Sequence, residues 1–157
     1  MKTIKYIKGD ATETIDSGDR CIIHICNDIG LWGAGFVLSL SKKWPQPGAA
    51  YRILAASEMP GMLGETQEIL VQPGLWVINL IAQRGVRSST NKQPLDYNVL
   101  RSTLLKEVDF IKSKCNSSVH MPRIGCGLGG GKWNDVKEIL ESTLCLNDIQ
   151  VTVYDIR

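Results

Sequence analysis

The chain has little of what marks membrane, secreted or nucleic-acid-binding proteins. No apolar run approaches the roughly 18 residues that a membrane span requires. Residues 1–8 alternate polar and apolar side chains, without the apolar segment of a secretory signal. The net charge is only +2 and no stretch is rich in Lys and Arg. The composition therefore argues against a nucleic-acid surface and a membrane partner.

Metal and disulfide patterns are also missing. The number of cysteines is odd, and no two of them form a CxxC pair: Cys21, Cys26, Cys115, Cys126 and Cys145. We expect free thiols in a reducing cytoplasm, and neither a metal site nor a cofactor. The 157 residues, 43% of them apolar and 22% charged, fit one domain over residues 1–157, which we expect to be a monomer.

Strand-like and helix-like segments alternate along the chain. Apolar patterning predicts strands at 3–8, 21–26, 118–122 and 150–155, and a hairpin of strands at 65–71 and 75–82. Helical spacing predicts helices at 34–43, 49–58 and 133–144, and a long helix that starts at Pro94. This order predicts helices on both faces of a mixed sheet of about six strands, an α/β/α arrangement of three layers.

Two glycine-rich turns each lie between a predicted strand and a predicted helix. The first is Gly30-Leu31-Trp32-Gly33-Ala34-Gly35, and the second is Gly125-Cys126-Gly127-Leu128-Gly129-Gly130-Gly131. Unpaired N–H groups at the start of a helix attract anions, and glycine lets the backbone approach a phosphate closely. Two such turns suit the two ends of a diphosphate, although each is also what a plain strand-to-helix turn requires.

Neither turn fits the common nucleotide-binding motifs. The first reads G-x-x-G-x-G, the reverse of the dinucleotide fingerprint, and no acidic residue follows at suitable spacing. The second ends in Gly131-Lys132-Trp133, whereas a P-loop needs Ser or Thr after the Lys and a Gly where Cys126 stands. Both motifs are excluded.

The chain instead resembles the macrodomain family, which binds ADP-ribose, over nearly its whole length. Four segments carry the resemblance: Lys8-Gly9-Asp10, Asn27 with Trp32-Gly33-Ala34-Gly35, Met121-Pro122-Arg123-Ile124-Gly125-Cys126-Gly127-Leu128, and Val151-Thr152-Val153-Tyr154. The third is similar to the terminal ADP-ribose protein glycohydrolase branch. His24-Ile25-Cys26-Asn27 is similar to the ADP-ribose monophosphate phosphatase relatives.

The resemblance implies a role in ligand binding for thirteen residues. Asp10 would accept a hydrogen bond from the adenine amino group, Ala11 would offer its N–H nearby, and Tyr154 would pack on the adenine. Asn27 would hydrogen-bond the distal ribose. The remaining residues would enclose the ribose and diphosphate: Trp32, Gly33, Ala34, Gly35, Gly125, Cys126, Gly127, Leu128 and Gly129. Each also has a structural reading, with Asp10 and Asn27 as turn residues and Tyr154 and Trp32 as packing aromatics.

The catalytic groups of the similar glycohydrolases are not present here. Their Lys nucleophile and their Asp correspond to Gln83 and Gly129, neither of which can form the covalent sugar adduct or act as its acid–base partner. The resemblance leaves Asn27, His24 and Asp28 as catalytic candidates. Asn27 would fix the ribose while His24 or Asp28 handles protons for an attacking water.

Three functions remain open. The first is a hydrolase that removes an acceptor or a terminal phosphate from the distal ribose. The second is a non-catalytic ADP-ribose reader, suggested by the missing Lys and Asp. The third is a hydrolase with Cys126 as its nucleophile and His24 or His120 as the base.

Overall fold

The computed structural model describes residues 1–15, 17–59 and 61–156. Within these ranges the strands are β1 (Lys5–Lys8), β2 (Arg20–Asn27), β3 (Thr66–Gln72), β4 (Leu75–Gln83), β5 (Ser118–Met121) and β6 (Gln150–Asp155). The helices are α1 (Phe36–Lys43), α2 (Gln46–Glu58), α3 (Tyr97–Lys114) and α4 (Trp133–Thr143), and a 3-10 turn covers Cys145–Asn147.

The strands form one mixed sheet in the order β1-β6-β5-β2-β4-β3. All neighbouring strands are parallel except β3 and β4, which form the predicted antiparallel hairpin. Helices α3 and α4 pack on one face of the sheet, and α1 and α2 cover the other. The predicted three-layer α/β/α fold around about six strands is confirmed.

Strand β2 lies in the middle of the sheet and is covered on both faces, as its continuous apolar sequence predicts. Because side chains alternate along a strand, Ile23 packs with α3 and α4 residues while Ile22 packs beside Leu40 of α1. The burial of β2 on both faces fixes the positions of His24 and Asn27, which lie further along the same strand.

Three helices start at residues other than the predicted ones. Helix α1 begins at Phe36 rather than at residue 34, because Gly35 before it has a non-helical φ of +77°. Helix α3 begins at Tyr97 rather than Pro94, because the Asp96 side chain accepts the Val99 N–H at 3.1 Å and caps the helix. Helix α2 begins at Gln46, three residues before the predicted start. Pro47 is tolerated there because the first helical turn requires no N–H donor.

The parallel strands β5, β2 and β4 are neighbours, so their carboxyl ends meet at one edge of the sheet. Both glycine-rich turns and the loop at residues 84–96 leave from this edge. No helix in the described part of the chain is long and apolar enough to span a membrane.

Candidate functional site

A cavity of about 860 Å³ opens at the carboxyl edge of the sheet. Its volume lies in the range typical of small-molecule sites. The end of β2, both glycine-rich turns and the loop at residues 84–96 surround it. Ten predicted site residues line it: His24, Asn27, Trp32, Gly33, Ala34, Gly35, Gly125, Gly127, Leu128 and Gly129. The structure therefore brings the two glycine-rich turns together around one space.

The second turn presents a run of main-chain donors. The Gly130 N–H bonds to the Gly127 carbonyl at 3.1 Å and closes the turn. A Cβ on Gly129 would lie 2.7 Å from the carbonyl oxygen of Gly125, whose own φ is +72°, so both positions require glycine. Within the described residues, the N–H groups of Gly127, Leu128 and Gly129 have no acceptor. Successive free N–H groups of this kind suit an anion.

The first turn adds the start of a helix. Helix α1 has no side-chain cap, so its first N–H groups, on Phe36 and Val37, lack partners within the helix. Both residues line the cavity, which therefore meets the positive end of the helix dipole. A Cβ on Gly35 would lie 3.3 Å from Leu128 Cδ1, so the two turns approach each other closely. Donors from both turns can contact one ligand.

Asn27 ties together the loop that follows β2. Its Nδ2 donates to the Leu31 carbonyl at 2.7 Å, and its Oδ1 accepts the N–H groups of Ile29 and Leu31, each at 3.1 Å. The Tyr51 hydroxyl donates to the same Oδ1 at 2.6 Å and accepts the Gly30 N–H at 3.0 Å. The Asn27 amide thus shapes the first glycine-rich turn, and its predicted contact with a ribose stays a prediction.

His24 is 2% exposed and lines the inner wall of the cavity. Its Nε2 contacts the Asn79 Oδ1 at 2.5 Å, and its ring lies edge-on to Trp32 with 5.4 Å between centroids. Burial lowers the pKa of His24 to about 4, although the hydrogen bond to Asn79 opposes this effect. The ring is therefore neutral at pH 7, so it can accept a proton but does not carry an extra one to give.

The loop at residues 84–96 forms one wall of the cavity, and Asp28 holds this loop from outside the cavity lining. The Asp28 Oδ1 accepts the Gly85 N–H at 2.7 Å, so this carboxylate anchors the loop, and Asp28 is not among the residues that line the cavity. Gln83 and Arg87 do line it, and Arg87 Nη1 approaches the Gly127 carbonyl at 3.5 Å. The loop thus brings an exposed cation to the cavity beside the second glycine-rich turn.

Asp10 and Ala11 follow β1 and lie outside the cavity lining. The Asp10 Oδ1 accepts both the N–H and the hydroxyl of Thr12 at 2.8 Å, which is the structural reading of this residue. An ionised carboxylate has about four acceptor positions. The local turn is therefore compatible with a further bond to an adenine amino group, and that role stays a prediction.

Tyr154 does not offer a free ring face. Its side chain is 3% exposed, and its hydroxyl contacts His120 Nδ1 at 2.7 Å and accepts the Ile15 N–H at 3.0 Å. Stacking on an adenine needs an accessible ring, so the structure argues against this part of the expectation. The hydroxyl instead holds the segment that follows Asp10 and Ala11.

Cys126 lies in the second turn but does not line the cavity. Partial burial raises the pKa of its thiol to about 11, with Asp135 adding to the effect and Arg123 opposing it. The thiol is therefore protonated at neutral pH, which disfavours a cysteine nucleophile. The described residues contain no group of three or more His, Cys, Asp or Glu side chains that could hold a metal ion.

Three residues that line the cavity or bond to its lining residues were not predicted from the sequence: Tyr51, Asn79 and Arg87. Asn79 left a signal, because it is the one polar residue within the apolar run 75–82. The sequence around Tyr51 indicates only an aromatic residue on a helix, and the sequence around Arg87 indicates only a cation in a polar loop. Only the three-dimensional arrangement connects these two residues to the site.

Comparison with known proteins adds independent evidence. No family model matches the chain. The solved structure of a macrodomain protein from Streptomyces coelicolor is 41% identical to it, with a TM-score of 0.83. That similarity covers 97% of this chain and 98% of the other.

Two curated relatives match over almost their full lengths. The human ADP-ribose glycohydrolase OARD1 is 29% identical over 157 residues, which cover 96% of this chain and 90% of the relative. The ADP-ribose 1''-phosphate phosphatase of Candida albicans is 28% identical, covering 96% of this chain and 98% of the relative. Both names describe hydrolysis of an ADP-ribose derivative.

Proposed function

The chain belongs to the macrodomain family, and on that premise we propose that it binds ADP-ribose and hydrolyses ADP-ribose derivatives at the distal ribose. One observation carries the proposal. The residues that carry free N–H groups, namely Gly127, Leu128 and Gly129 and those at the uncapped start of α1, line one cavity. Main-chain donors of this kind suit a diphosphate, because each phosphate oxygen accepts a hydrogen bond without needing a side chain.

The ligand would lie across the carboxyl edge of the sheet. The turn at residues 125–129 would hold the diphosphate, with Cys126 contributing through its main chain, while Gly33, Ala34 and Gly35 enclose one phosphate and the distal ribose. Asp10 and Ala11 would bind the adenine at the far end. Asn27 would shape the ribose end of the site through the first glycine-rich turn. The distal ribose would then lie near His24, which lines the same cavity.

The chemistry would be a direct attack by water. Gln83 and Gly129 supply neither a nucleophile nor an acid–base group, so no covalent sugar intermediate is expected. Water would add across the bond between the distal ribose and its substituent, leaving a hydroxyl on the sugar and a protonated leaving group. His24 offers a neutral acceptor for this step, and Asp28 is the alternative.

The hydrolytic activity is tested by turnover of a panel of substrates. We expect product release from at least one of three: ester-linked ADP-ribose, arginine-linked ADP-ribose and ADP-ribose carrying a terminal phosphate. His24→Ala should slow the active reaction by about 100-fold or more, the range of a lost proton-transfer group. Asn27→Ala is measured beside it, with the stability of both variants recorded.

The same panel separates the competing functions. If none of the three substrates turns over while ADP-ribose still binds, the protein is a reader, as the absence of the Lys and Asp suggests. A further experiment measures turnover and ADP-ribose binding of the wild type after alkylation of its thiols. Loss of turnover on alkylation, with binding retained, would favour the Cys126 mechanism instead.

We also propose that the protein works as one domain over residues 1–157, as a cytoplasmic monomer without a nucleic-acid or membrane partner. The support is the net charge of +2 and the five thiols, of which four are buried and none forms a disulfide in the described residues. Size-exclusion chromatography with light scattering measures the oligomeric state directly.

A further inference from the structure

Three polar side chains form a row across the apolar sheet beneath the cavity. The strand register places His24 of β2 opposite Asn79 of β4, and Asn79 opposite Gln67 of β3. Asn79 is completely buried and His24 is 2% exposed. Buried polar groups cost free energy unless each is satisfied, so a row of this kind calls for a physical reason.

Two main-chain carbonyls of α2 determine which way the row is oriented. Gln67 Nε2 donates to the Ala50 carbonyl at 2.9 Å, so the Gln67 Oε1 must face Asn79. Asn79 Nδ2 donates to this Oε1 at 3.1 Å and to the Pro47 carbonyl at 3.2 Å. Carbonyl oxygens only accept, so neither amide can be rotated without placing two acceptors against each other.

The orientation of Asn79 fixes the tautomer of His24. Its Oδ1 is the atom that faces His24 Nε2, at 2.5 Å, so Nε2 carries the hydrogen. A neutral imidazole has one donor and one acceptor nitrogen. Nδ1 is therefore a bare lone pair, and it is buried with no partner in the described residues.

An unpaired buried acceptor beside a cavity indicates a ligand group. The His24 ring lines the cavity wall between Trp32 and Phe36, whose ring centroids lie 5.4 and 6.0 Å from its own. Phe36 has no N–H or O–H group, and the Trp32 N–H donates to Ser41 Oγ at 2.8 Å, so neither ring supplies a donor to Nδ1. A ligand hydroxyl would satisfy the nitrogen, whereas a phosphate or carboxylate oxygen would not, because it has no hydrogen to give.

We infer that Asn79 and Gln67 are positioning residues that hold His24 in the Nε2–H form, so that Nδ1 accepts a hydrogen bond from a hydroxyl of the ligand's distal ribose. This inference rests on the proposed function and names the sugar hydroxyl as the group recognised there. Because Nδ1 is then occupied by the sugar, Asp28 is left as the candidate that accepts the proton of the attacking water. The two carbonyls on α2 thus orient the three side chains of the row, so that the row ends in a specific acceptor at the cavity wall.

The contact between His24 and the ligand is tested by measuring the affinities of the wild type and of His24→Leu for two ligands, ADP-ribose and ADP. ADP-ribose and ADP share the adenosine and the diphosphate, but only ADP-ribose carries the distal sugar. His24→Leu should weaken ADP-ribose by about tenfold, the effect of one lost buried hydrogen bond, and change the affinity for ADP less than about twofold. Equal losses for both ligands would overturn the inference, since they would show a merely structural role.

The tautomer is tested in the wild-type protein by ¹⁵N NMR of its two histidines. His24 should show a protonated Nε2 and an unprotonated Nδ1, and Nδ1 should shift on addition of ADP-ribose but not of ADP. His120 is the internal control. Its Nε2 contacts Ser118 Oγ at 2.9 Å and its Nδ1 contacts the Tyr154 hydroxyl at 2.7 Å, so its signals should stay in place. A protonated Nδ1 on His24 would overturn the inference but would leave the proposal that the protein binds ADP-ribose intact.

The positioning role is tested at Asn79. Asn79→Leu removes the oxygen that faces Nε2, so the Nε2–H form should give way to a mixture of tautomers, with a loss of affinity confined to ADP-ribose. Gln67→Leu removes only one of the two acceptors that orient Asn79 and should shift the tautomer less, because the Pro47 carbonyl still holds the Asn79 amide. An unaltered tautomer in Asn79→Leu would contradict the positioning role. If ADP-ribose fails to bind the wild type at all, the proposed function fails, and the ligand contact fails with it.

Discussion

Gly127→Glu is expected to abolish ADP-ribose binding while leaving the free energy of unfolding unchanged. Gly127 lines the cavity within the run of free N–H groups, and a Cβ built on it meets no atom within 4 Å. A side chain there enters the space of the ligand rather than the protein core. Its carboxylate would also repel the diphosphate, and like charges in contact cost several kcal/mol. Calorimetric titration and urea denaturation measure the two quantities.

Gly18→Glu is the matched control. Gly18 also has no atom within 4 Å of a built Cβ, but it is not a residue of the cavity lining. The same charge added there should leave ADP-ribose affinity within about twofold, because exposed charges are largely screened beyond about 10 Å. Wild-type affinity in Gly127→Glu would refute the placement of the diphosphate at this turn.

Asn27→Ala should lower the free energy of unfolding by about 3 kcal/mol, because it leaves several partly buried donors and acceptors of one loop, and the buried Tyr51 hydroxyl, without this partner. The loop depends on the Asn27 side chain for bonds to Ile29, Leu31 and Tyr51. We expect ADP-ribose binding to fall with it, since the displaced loop carries the first glycine-rich turn. Urea denaturation and calorimetry are performed on the same preparation.

Tyr51→Phe provides the graded comparison for this prediction. It removes only the hydroxyl that bridges Asn27 and Gly30, so the loss of stability should be about 1–2 kcal/mol, with weaker effects on binding. An Asn27→Ala variant with wild-type stability but no affinity would mean that Asn27 acts on the ligand alone and not through its turn.

The layers of the fold follow from patterns that one sequence contains. The uninterrupted apolar run of β2 predicts a central strand, and the Gln72-Pro73-Gly74 turn predicts the β3–β4 hairpin, because these signals depend on neighbours along the chain. The predicted start of α3 at Pro94 is wrong for the opposite reason. Pro94 is compatible with a helix start, but the cap is made by Asp96, and the choice between them depends on the loop's tertiary contacts.

The candidate site, like the fold, could be predicted only where the signal lies in neighbouring residues of the sequence. The glycine-rich turns could be predicted, because main-chain donors need only small residues next to a strand end. The side-chain roles could not. The partner of His24 lies 55 residues away on another strand, and the burial of Tyr154 is set by its contact with His120 across the sheet. Strand register decides both, and register depends on the packing of the whole sheet.

The measurement that tests the central claim most directly is a calorimetric titration of the wild-type protein with ADP-ribose. If the two glycine-rich turns hold a diphosphate, the titration shows saturable binding with one site per chain, and excess ADP competes for it. A titration with no heat and no rise in melting temperature at millimolar ADP-ribose would contradict the account at its base.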